Sequence, residues 1–284
     1  MGAQVTMSDG NPHGKYILEG HAATHVGYVR ENNEDNYILL NAWNEKAKDA
    51  HVSDICVSHS MGNWNCIGVF DGMGGGDLGE VASRLATTEV LSAIKALERN
   101  AAYEQVDAAM ERAFLEANNA VVHLQQDNNI YGTTGTVCCL DGYRLRIYHL
   151  GDSRAYLFRE NQLYLLTRDQ TVAQIKIDAG LYEKDDRRLE RERHQLTEYI
   201  GCDDTKENIR PVESQWMDIK HKDRILLCSD GLYDMCSEEQ IEHILQNTQD
   251  TDETAEALVQ KALENGGKDN VTCLVVKITK NKIS

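Results

Sequence analysis

The chain has 284 residues, and its 46 acidic residues against 29 lysines and arginines give a formal net charge of −17. Hydrophobic residues make up 41% of the sequence, which is enough for a substantial core and excludes disorder of the whole chain. The acidic excess argues against nucleic acid or an acidic membrane surface as a general partner, because that binding depends on lysine and arginine. No apolar run is long enough to cross a membrane, so we expect a soluble, cytoplasmic protein.

Strand-like runs occur in groups along the chain. They are predicted at 36–41 and 66–70, in a hairpin-like stretch over 133–166, and at 224–228 together with 271–278. Eight cysteines without any C-x-x-C pair lack the usual spacing of a structural zinc site, and we interpret them as reduced core residues. The ten histidines form no H-E-x-x-H motif and are interpreted as incidental.

Helical periodicity lies between the groups of strands. Apolar residues from Val81 to Ile94 and from Val106 to Leu124 predict two consecutive helices, and a second pair is predicted at about 237–245 and 252–264. Because the helices come in pairs and do not alternate with single strands, the pattern predicts an α+β fold. The expected architecture is a four-layer α-β-β-α sandwich, with two mainly antiparallel sheets flanked by helix pairs.

The segment after the hairpin region has a different character. Only two prolines and no Pro/Ser-rich linker interrupt the chain, which predicts a single domain over residues 1–284. From Thr167 to Pro211 the hydrophobic pattern weakens, and residues 183–193 hold five acids and five bases. Two interpretations stay open for this stretch: a solvated helix, or a mobile flap over a functional site at 167–200.

Acidic residues stand at the ends of apolar strands. Asp71 follows one apolar run and opens a glycine stretch, Asp230 follows another, and Asp269 directly precedes the last strand. Such carboxylates can converge at one sheet edge if cations offset their repulsion, and oxygen ligands indicate hard ions such as Mg²⁺ or Mn²⁺. Each Asp-Gly pair alone is typical of a turn, but the three together favour a metal site.

The glycine stretch also has another interpretation. Gly74-x-Gly76-x-x-Gly79 matches the dinucleotide-binding fingerprint. That fingerprint requires a helix that leads to a second parallel strand, whereas here another helix is predicted to follow. Asp71 would also repel a pyrophosphate, so close approach of the backbone to a metal or substrate is the favoured interpretation.

A guanidinium and two acids stand close together ahead of the first predicted strand. Arg30, Glu34 and Asp35 lie within Gly27–Asn36. Arginine can bind a phosphate through two hydrogen bonds while nearby carboxylates bind cations. The alternative is a surface turn with an ordinary ion pair.

Six short motifs occur in an order that resembles the metal-dependent protein phosphatases of type 2C, over about residues 14–279. They are Gly27-x-x-Arg30-x-x-Asn33-Glu34-Asp35, Val69-Phe70-Asp71-Gly72-Met73-Gly74-Gly75, Gly132-Thr133-Thr134, Gly151-Asp152-Ser153-Arg154, Cys228-Ser229-Asp230-Gly231-Leu232 and Gly267-x-Asp269-Asn270-Val271-Thr272. The resemblance implies a β-sandwich flanked by helix pairs. It also implies a binuclear Mn²⁺ or Mg²⁺ centre that hydrolyses phosphoserine and phosphothreonine in proteins through metal-activated water.

The resemblance also implies roles for the metal-site residues. Asp71 would bridge the two metal ions, the Gly72 carbonyl would bind one of them, and Asp230 and Asp269 would bind the other. Water activated by two cations can attack phosphorus directly, so no cysteine or serine nucleophile is needed. Cys228 and Ser229 are therefore interpreted as strand packing.

Further residues receive supporting roles from the same resemblance. Glu34 and Asp35 would act mainly through metal-bound water, and Arg30 would hold the substrate phosphate. Asn270 and Asp152 would orient ligands, although a structural role for Asp152 is an equal alternative. A serine/threonine protein kinase acting in opposition is an expected partner from the resemblance alone.

The sequence departs from the family pattern at two places. Met73 stands where many eukaryotic members carry a histidine that can protonate the leaving group, and it matches the bacterial-type pattern. Bacterial members also tend to place an aspartate just before Gly-Thr-Thr as a ligand of a third metal. Here Ile130 occupies that region and Asp127 is out of register, which puts a third metal site in doubt. The alternative function is a catalytically weak phosphoprotein-binding module with the same fold.

Overall fold

The computed structural model describes residues 16–42, 51–59, 64–74, 77–125, 131–202 and 209–281. Its strands are β1 (Tyr16–His25), β2 (Asn36–Ile38), β3 (His51–His59), β4 (Asn65–Phe70), β5 (Gly72–Met73), β6 (Gly132–Thr133), β7 (Gly135–Leu140), β8 (Arg144–Leu150), β9 (Arg154–Arg159), β10 (Gln162–Leu165), β11 (Val212–Glu213), β12 (Met217–Asp218), β13 (Arg224–Cys228) and β14 (Val271–Lys280). Its helices are α1 (Asp77–Ala96), α2 (Tyr103–Val122), α3 (Val172–Asp178), α4 (Asp230–Tyr233), α5 (Glu238–Asn247) and α6 (Thr251–Glu264).

The strands form two large antiparallel sheets. The first has the order β10-β9-β13-β14-β1-β3, and the second has the order β11-β8-β7-β4-β2, with β12 also paired to β8. Strand β4 is antiparallel to both of its neighbours, β2 and β7. The glycine stretch therefore does not belong to a parallel strand-helix-strand unit, and the dinucleotide-binding alternative is wrong.

Central strands carry apolar side chains on both faces. In β14, Leu274 and Val276 pack into the core between the sheets, whereas Cys273 and Val275 pack against the helices on the outer face. Successive side chains of a strand point to opposite faces, so a continuous apolar run is what a strand buried on both sides requires.

The outer layers are the predicted helix pairs. Helices α1 and α2 cover the second sheet through a cluster that includes Val90 and Phe114, and α5 and α6 cover the first through a cluster that includes Ile241 and Leu258. The α+β fold with a four-layer α-β-β-α sandwich is confirmed. The cysteines at positions 66, 138, 139, 202, 228, 236 and 273 are free, and all of these except Cys202 are buried. No helix in the described part of the chain combines the length and apolar character needed to cross a bilayer.

The charged stretch at 183–193 is not a solvated α-helix. Within it the chain forms only a short 3-10 helix, Arg187–Leu189, between turns. Asp186 caps this turn by accepting a hydrogen bond from the Arg188 backbone N–H, and its carboxylate also pairs with the Arg188 guanidinium. The charges thus pair two residues apart, at a spacing that does not align side chains along an α-helix.

The register of the sheets brings the ends of several strands to one edge. His25 at the end of β1 lies opposite Val271 at the start of β14, and Cys228 at the end of β13 lies opposite Cys273. In the second sheet, Phe70 at the end of β4 pairs with Asn36. The loops that carry the motif residues therefore leave the sandwich on the same side.

Candidate metal centre and active site

A cavity of about 600 Å³ opens at this edge of the sandwich. Eight residues predicted from the sequence line it: Arg30, Glu34, Asp71, Gly72, Asp152, Asp230, Asp269 and Asn270. They come from loops that are distant in the sequence, and the sheet register brings them together. Of the predicted residues, only Asp35 is not part of the lining, because it lies buried behind it.

The Gly-Thr-Thr motif holds the backbone of Asp71. The Asp71 N–H donates to Thr134 Oγ1 at 2.9 Å, and the Asp71 carbonyl accepts from Thr133 Oγ1 and from the Thr134 N–H, both at 2.9 Å. Thr134 Oγ1 lies 2.7 Å from Ser153 Oγ, in the Gly-Asp-Ser-Arg motif. These two motifs therefore position the central carboxylate.

Gly72 lies where its backbone meets the start of α1. A Cβ atom at this position would stand 2.3 Å from the carbonyl oxygen of Gly79 and 2.7 Å from the carbonyl oxygen of Glu34. No side chain fits there, because real Cβ atoms do not approach backbone oxygens so closely. The glycine thus allows the Asp71-Gly72 backbone to stand at the cavity wall.

Asp35 is buried and only partly satisfied by hydrogen bonds. Ser229 Oγ donates to Asp35 Oδ2 at 2.8 Å, and Asp35 Oδ1 has no hydrogen-bond partner in the described part of the chain. Burial raises the pKa of Asp35 to about 7, and hydrogen bonds from Thr272 and Ser229 partly oppose that shift. Ser229 therefore orients an acid of the site, beyond the packing role predicted for it.

Asn270 fixes the loop that carries Arg30 and Glu34. Its Nδ2 donates to the carbonyls of Val26 and Asn32, each at 2.9 Å, and its Oδ1 accepts from the Glu34 N–H at 2.9 Å. These three bonds join the start of β14 to the loop after β1. The predicted orienting role of Asn270 corresponds here to contacts with backbone groups.

Arg30 is anchored at one side and open at the other. Its Nη2 donates to Asp269 Oδ2 at 2.7 Å, and that hydrogen bond raises the pKa of Arg30. The Arg30 side chain is 54% exposed, so further N–H groups of the guanidinium face the solvent-filled cavity. A planar cation in this position can bind a phosphate oxygen pair.

The acids of the cavity repel one another. Burial and then the nearby charges of Asp35 and Asp230 raise the pKa of Asp71 well above its usual value. Burial and the charge of Asp230 do the same for Asp152. Divalent cations bound by oxygen ligands would offset this repulsion. Three features of the site fit such ions: the grouped carboxylates, the buried Asp35 oxygen that lacks a partner among the described residues, and the Gly72 backbone at the cavity wall.

His194 and Asp234 are among the cavity residues that were not predicted. His194 Nδ1 lies 3.6 Å from Asp230 Oδ2 and 3.7 Å from Asp234 Oδ2. Asp234 follows Asp230 by four residues and so could have been found from helical spacing, whereas no local pattern marks His194. His194 therefore lies at the cavity, beside two of its acids. Asp127 and Ile130, on which the third-metal question rested, lie outside the described residues.

The segment at 167–200 contributes one wall of the cavity. Glu190, Arg193, His194 and Leu196 line it. Arg154 ties the beginning of this segment to the core, because its guanidinium makes two hydrogen bonds to Asp169, at 2.9 and 2.6 Å. The Arg154 side chain therefore has a structural role.

The sandwich thus brings a carboxylate cluster and an arginine together at one sheet edge. The sequence profile of the family "Protein phosphatase 2C" matches residues 21–176. The chain is 34% identical to the serine/threonine protein phosphatase PstP of Mycobacterium tuberculosis over 211 residues, which are 73% of this chain and 39% of PstP. It is 29% identical to the serine/threonine phosphatase stp of Listeria welshimeri, over 89% of this chain and 93% of that protein.

A solved structure shows the same architecture. The catalytic domain of PstP in complex with two manganese ions superposes with a TM-score of 0.72 at 30% identity, over 93% of this chain and all of that domain. The chain therefore belongs to the protein phosphatase 2C family, and the predicted family is confirmed. It spans about two fifths of the length of full PstP and nearly all of the Listeria protein.

Proposed function

We propose that this chain is a metal-dependent protein serine/threonine phosphatase. The observation that carries the proposal is the convergence of Arg30 with Asp71, Asp230 and Asp269 on one cavity. The two manganese ions of the similar PstP domain support two Mn²⁺ or Mg²⁺ ions here. The substrates would be proteins that carry phosphoserine or phosphothreonine.

The residues that would hold the two ions are Asp71, the Gly72 carbonyl, Asp230 and Asp269, with Glu34 and Asp35 acting through water. When bound, the ions lower the pKa of a water molecule and offset the negative charge of the phosphate. The hydrogen bonds that the Asp71 backbone makes with Thr133 and Thr134 keep Asp71 in place, so little reorganisation accompanies the reaction.

Arg30 would orient the phosphate with the donors that Asp269 leaves open. The oxygen of water forms a bond to phosphorus while the bond from phosphorus to the serine or threonine oxygen breaks in line. The departing oxygen then takes a proton from water, because the Met73 thioether carries no proton to donate. Asn270 acts through the Glu34 backbone that it holds, and Asp152 would orient ligands from the cavity wall.

The decisive experiment follows phosphate release from a phosphothreonine peptide with and without Mn²⁺. We expect release only with the ion, and we expect Asp71→Asn to lower kcat by at least roughly 10²–10³-fold, the cost typical of losing one preorganised electrostatic contact. Glu98→Gln is the matched control, since it removes an exposed carboxylate at a remote position. Activity that survives chelation, or that Asp71→Asn leaves unchanged, would overturn the proposal.

A binding module that has lost efficient turnover is the second candidate. Met73 supports it, because the site then lacks a side-chain proton donor at that position. Calorimetry would distinguish the two: tight phosphopeptide binding in the presence of Mn²⁺ without phosphate release favours the module. The complete set of oxygen ligands favours the enzyme.

Three broader statements belong to the same proposal. The whole chain acts as a single catalytic domain, residues 167–200 act as a flap that influences substrate choice, and the protein works in the cytoplasm opposite a serine/threonine kinase. The lining residues Glu190, Arg193 and Leu196 support the flap role. Substrate profiles of variants at these three positions would test it, and unchanged profiles would argue against it.

A further inference from the structure

Two exposed apolar side chains stand directly before the arginine that would hold the phosphate. Tyr28 and Val29 are each 67% exposed, the highest values among the large apolar side chains in the described part of the chain. Arg30, the next residue, lines the catalytic cavity. Apolar residues exposed singly need no explanation, whereas apolar surface gathered beside a site is typical of a contact surface.

The turn that carries these side chains is held by its neighbours. The Gly27 N–H donates to His25 Nδ1 at 2.9 Å, and the Tyr28 N–H donates to the Gly267 carbonyl at 2.7 Å. The Tyr28 ring stands edge-on to the His25 ring, with centroids 6.1 Å apart and an interplanar angle of 77°. A substrate therefore meets a surface that is already ordered, which lowers the entropy cost of binding.

Tyr28 also contacts the loop that carries Asp269. A Cβ atom on Gly267 would stand 3.0 Å from Tyr28 Cδ2, so the ring packs closely against the backbone of this loop. Asp269 follows two residues later and accepts the hydrogen bond from Arg30. Tyr28, Val29 and the Arg30–Asp269 pair thus form one continuous surface at the side of the cavity.

A peptide bound through Arg30 brings its neighbouring residues within reach of this surface. An extended peptide advances about 3.5 Å per residue, so residues up to three positions from the phosphorylated one lie within roughly 10 Å of it. The Cα atoms of Val29 and Arg30 are about 3.8 Å apart, and Tyr28 is one residue further. Side chains that flank the phosphorylated residue can therefore contact both Tyr28 and Val29.

We propose that Tyr28 and Val29 form an apolar ridge that selects phosphoproteins with an apolar residue within three positions of the phosphoserine or phosphothreonine. The proposal rests on the proposed function, because it names a substrate class for the same site. A leucine or phenylalanine on the ridge removes apolar surface of both partners from water, whereas a serine does not. The ridge contributes to binding and takes no part in the chemical step.

The first test compares kcat/KM for matched phosphothreonine peptides in the presence of Mn²⁺. One peptide carries leucine at each of the three positions on either side in turn, and its partner carries serine there. We expect the wild type to favour leucine at one or more positions by roughly five- to tenfold. This is less than the roughly 10–200-fold of a closed apolar pocket, because a ridge covers only one side of the leucine. The preference should lie in KM and not in kcat, since the contact is the same in the ground state and the transition state.

Two variants and a matched control assign the preference to the ridge. Val29→Thr keeps the shape of the side chain but replaces a methyl group by a hydroxyl, and it should lower the leucine-to-serine ratio. The double variant Tyr28→Ser, Val29→Thr should bring the ratio to about one. Tyr143→Ser is the control, because it removes a tyrosine that is 54% exposed in the turn between β7 and β8, and it should keep the wild-type ratio. The ratio compares two peptides on one protein, so a partial loss of folded protein does not change it.

Two results of this test would overturn the proposal. One is a ratio near one at every position in the wild type, or a preference that survives in the double variant. The other is a preference for aspartate or glutamate that Lys268→Ala removes, because it would assign recognition to the exposed lysine that lines the cavity. If no peptide releases phosphate with Mn²⁺, the proposed function fails, and the ridge is then decided by binding alone.

The second test measures binding without turnover. Peptides in which a phosphonate replaces the phosphate are titrated by calorimetry into the Mn²⁺-loaded protein. The leucine-flanked peptide should bind roughly five- to tenfold more tightly than the serine-flanked one, with a more negative heat-capacity change, which is the signature of apolar burial. Both differences should be lost in the double variant and kept in Tyr143→Ser. Equal affinities and equal heat-capacity changes for the two peptides in the wild type would contradict the proposal.

Discussion

The cavity has two walls of different construction. Asp71, Asp230 and Asp269 belong to the wall at the strand ends, where the antiparallel register and buried neighbours determine their positions. Arg193 and His194 belong to the wall formed by residues 167–200, which has little regular structure. The first wall is therefore suited to chemistry that needs fixed geometry, and the second to selection of the substrate.

The two walls are joined mainly at the ends of the flap segment. The Gln170 N–H donates to the Gly151 carbonyl at 2.8 Å, and Thr133 and Ile200 exchange two backbone hydrogen bonds of 2.9 Å each. Between these anchors, the segment contacts α4 and α5 through side-chain pairs such as Lys184 with Glu238 and His194 with Asp230. Changes in the strand-end wall should thus have larger effects than changes in the flap.

The largest effect is expected at Arg30. Arg30→Ala removes the guanidinium that would hold the phosphate, so kcat/KM should fall by roughly 10²–10³-fold. Arg30→Lys should recover only part of the loss, because lysine cannot make paired planar hydrogen bonds. Arg188→Ala in the flap is the control, since this exposed arginine pairs locally with Asp186. A loss no greater than that of the control would show that the strand-end wall does not bind the phosphate.

A smaller effect on stability is expected at Gly27. Its φ is +81°, and a Cβ atom there would stand 2.3 Å from the Asp269 carbonyl oxygen. Gly27→Ala should therefore lower the free energy of unfolding by about 3 kcal/mol, which adds displacement of the Asp269 backbone to the roughly 1–2 kcal/mol cost of left-handed geometry. It should also weaken Mn²⁺ binding.

Gly180 in the flap segment is the matched control for Gly27. Its φ is +67°, and a Cβ atom there would meet nothing within 4 Å. Gly180→Ala should therefore cost only the roughly 1–2 kcal/mol of backbone strain. Urea denaturation measures both variants, and equal costs would mean that the contact with Asp269 is easily relieved.

The next effect concerns the pH dependence of stability, at a histidine that contacts the start of the flap segment. His149 is buried, with its ring nitrogens 2.8 Å from Thr136 Oγ1 and 3.1 Å from the Arg168 carbonyl oxygen. Burial lowers its pKa from 6.5 to about 4. Below pH 6.5 the unfolded chain binds a proton that the folded chain does not. The free energy of unfolding is therefore highest above pH 6.5 and decreases as the pH falls towards 4.

The size of the loss follows from the shift and is about 3 kcal/mol at pH 4. Unfolding of the metal-loaded protein, followed from pH 7 to pH 4, should show a steeper decline for wild type than for His149→Gln. His243→Gln should decline like the wild type, since that histidine is exposed. Parallel profiles for wild type and His149→Gln would contradict the lowered pKa of His149.

Local patterns in the sequence were sufficient for most of the fold and for the strand-end wall. An apolar run followed by Asp-Gly marks a buried strand and its end, which is why Asp71 and Asp230 were found. Strand β1 was not predicted, because Gly20 and His21 interrupt its apolar pattern and its burial depends on pairing with β14. The consecutive helices α1 and α2 were predicted because apolar periodicity is a local property.

The flap wall could not be predicted in the same way. The contact of His194 with Asp230 spans 36 residues, and the hydrogen bond of Ser229 to Asp35 spans 194 residues. Such contacts depend on how distant loops meet once the sandwich has formed. The charged composition of 183–193 was equally compatible with a solvated helix, and only the local pairing of Asp186 with Arg188 distinguishes the turn that forms.

The smallest effect is expected for the ion pair that crosses from the flap to α5. Lys184 Nζ lies 3.4 Å from Glu238 Oε1, and the two side chains are 69% and 44% exposed. Exposed pairs of this kind contribute about 0.2–1 kcal/mol and are weakened by salt. Lys184→Ala should therefore raise the rate of proteolytic cleavage within 179–196 by no more than about fivefold, since 1 kcal/mol corresponds to about that factor. The difference from the wild type should vanish in 1 M salt. Lys261→Ala is the control, because the Lys261–Glu264 pair of α6 has similar length but lies within one helix. A larger, salt-resistant increase would mean that a single contact holds the flap closed, and the flap would then be nearly as fixed as the strand-end wall.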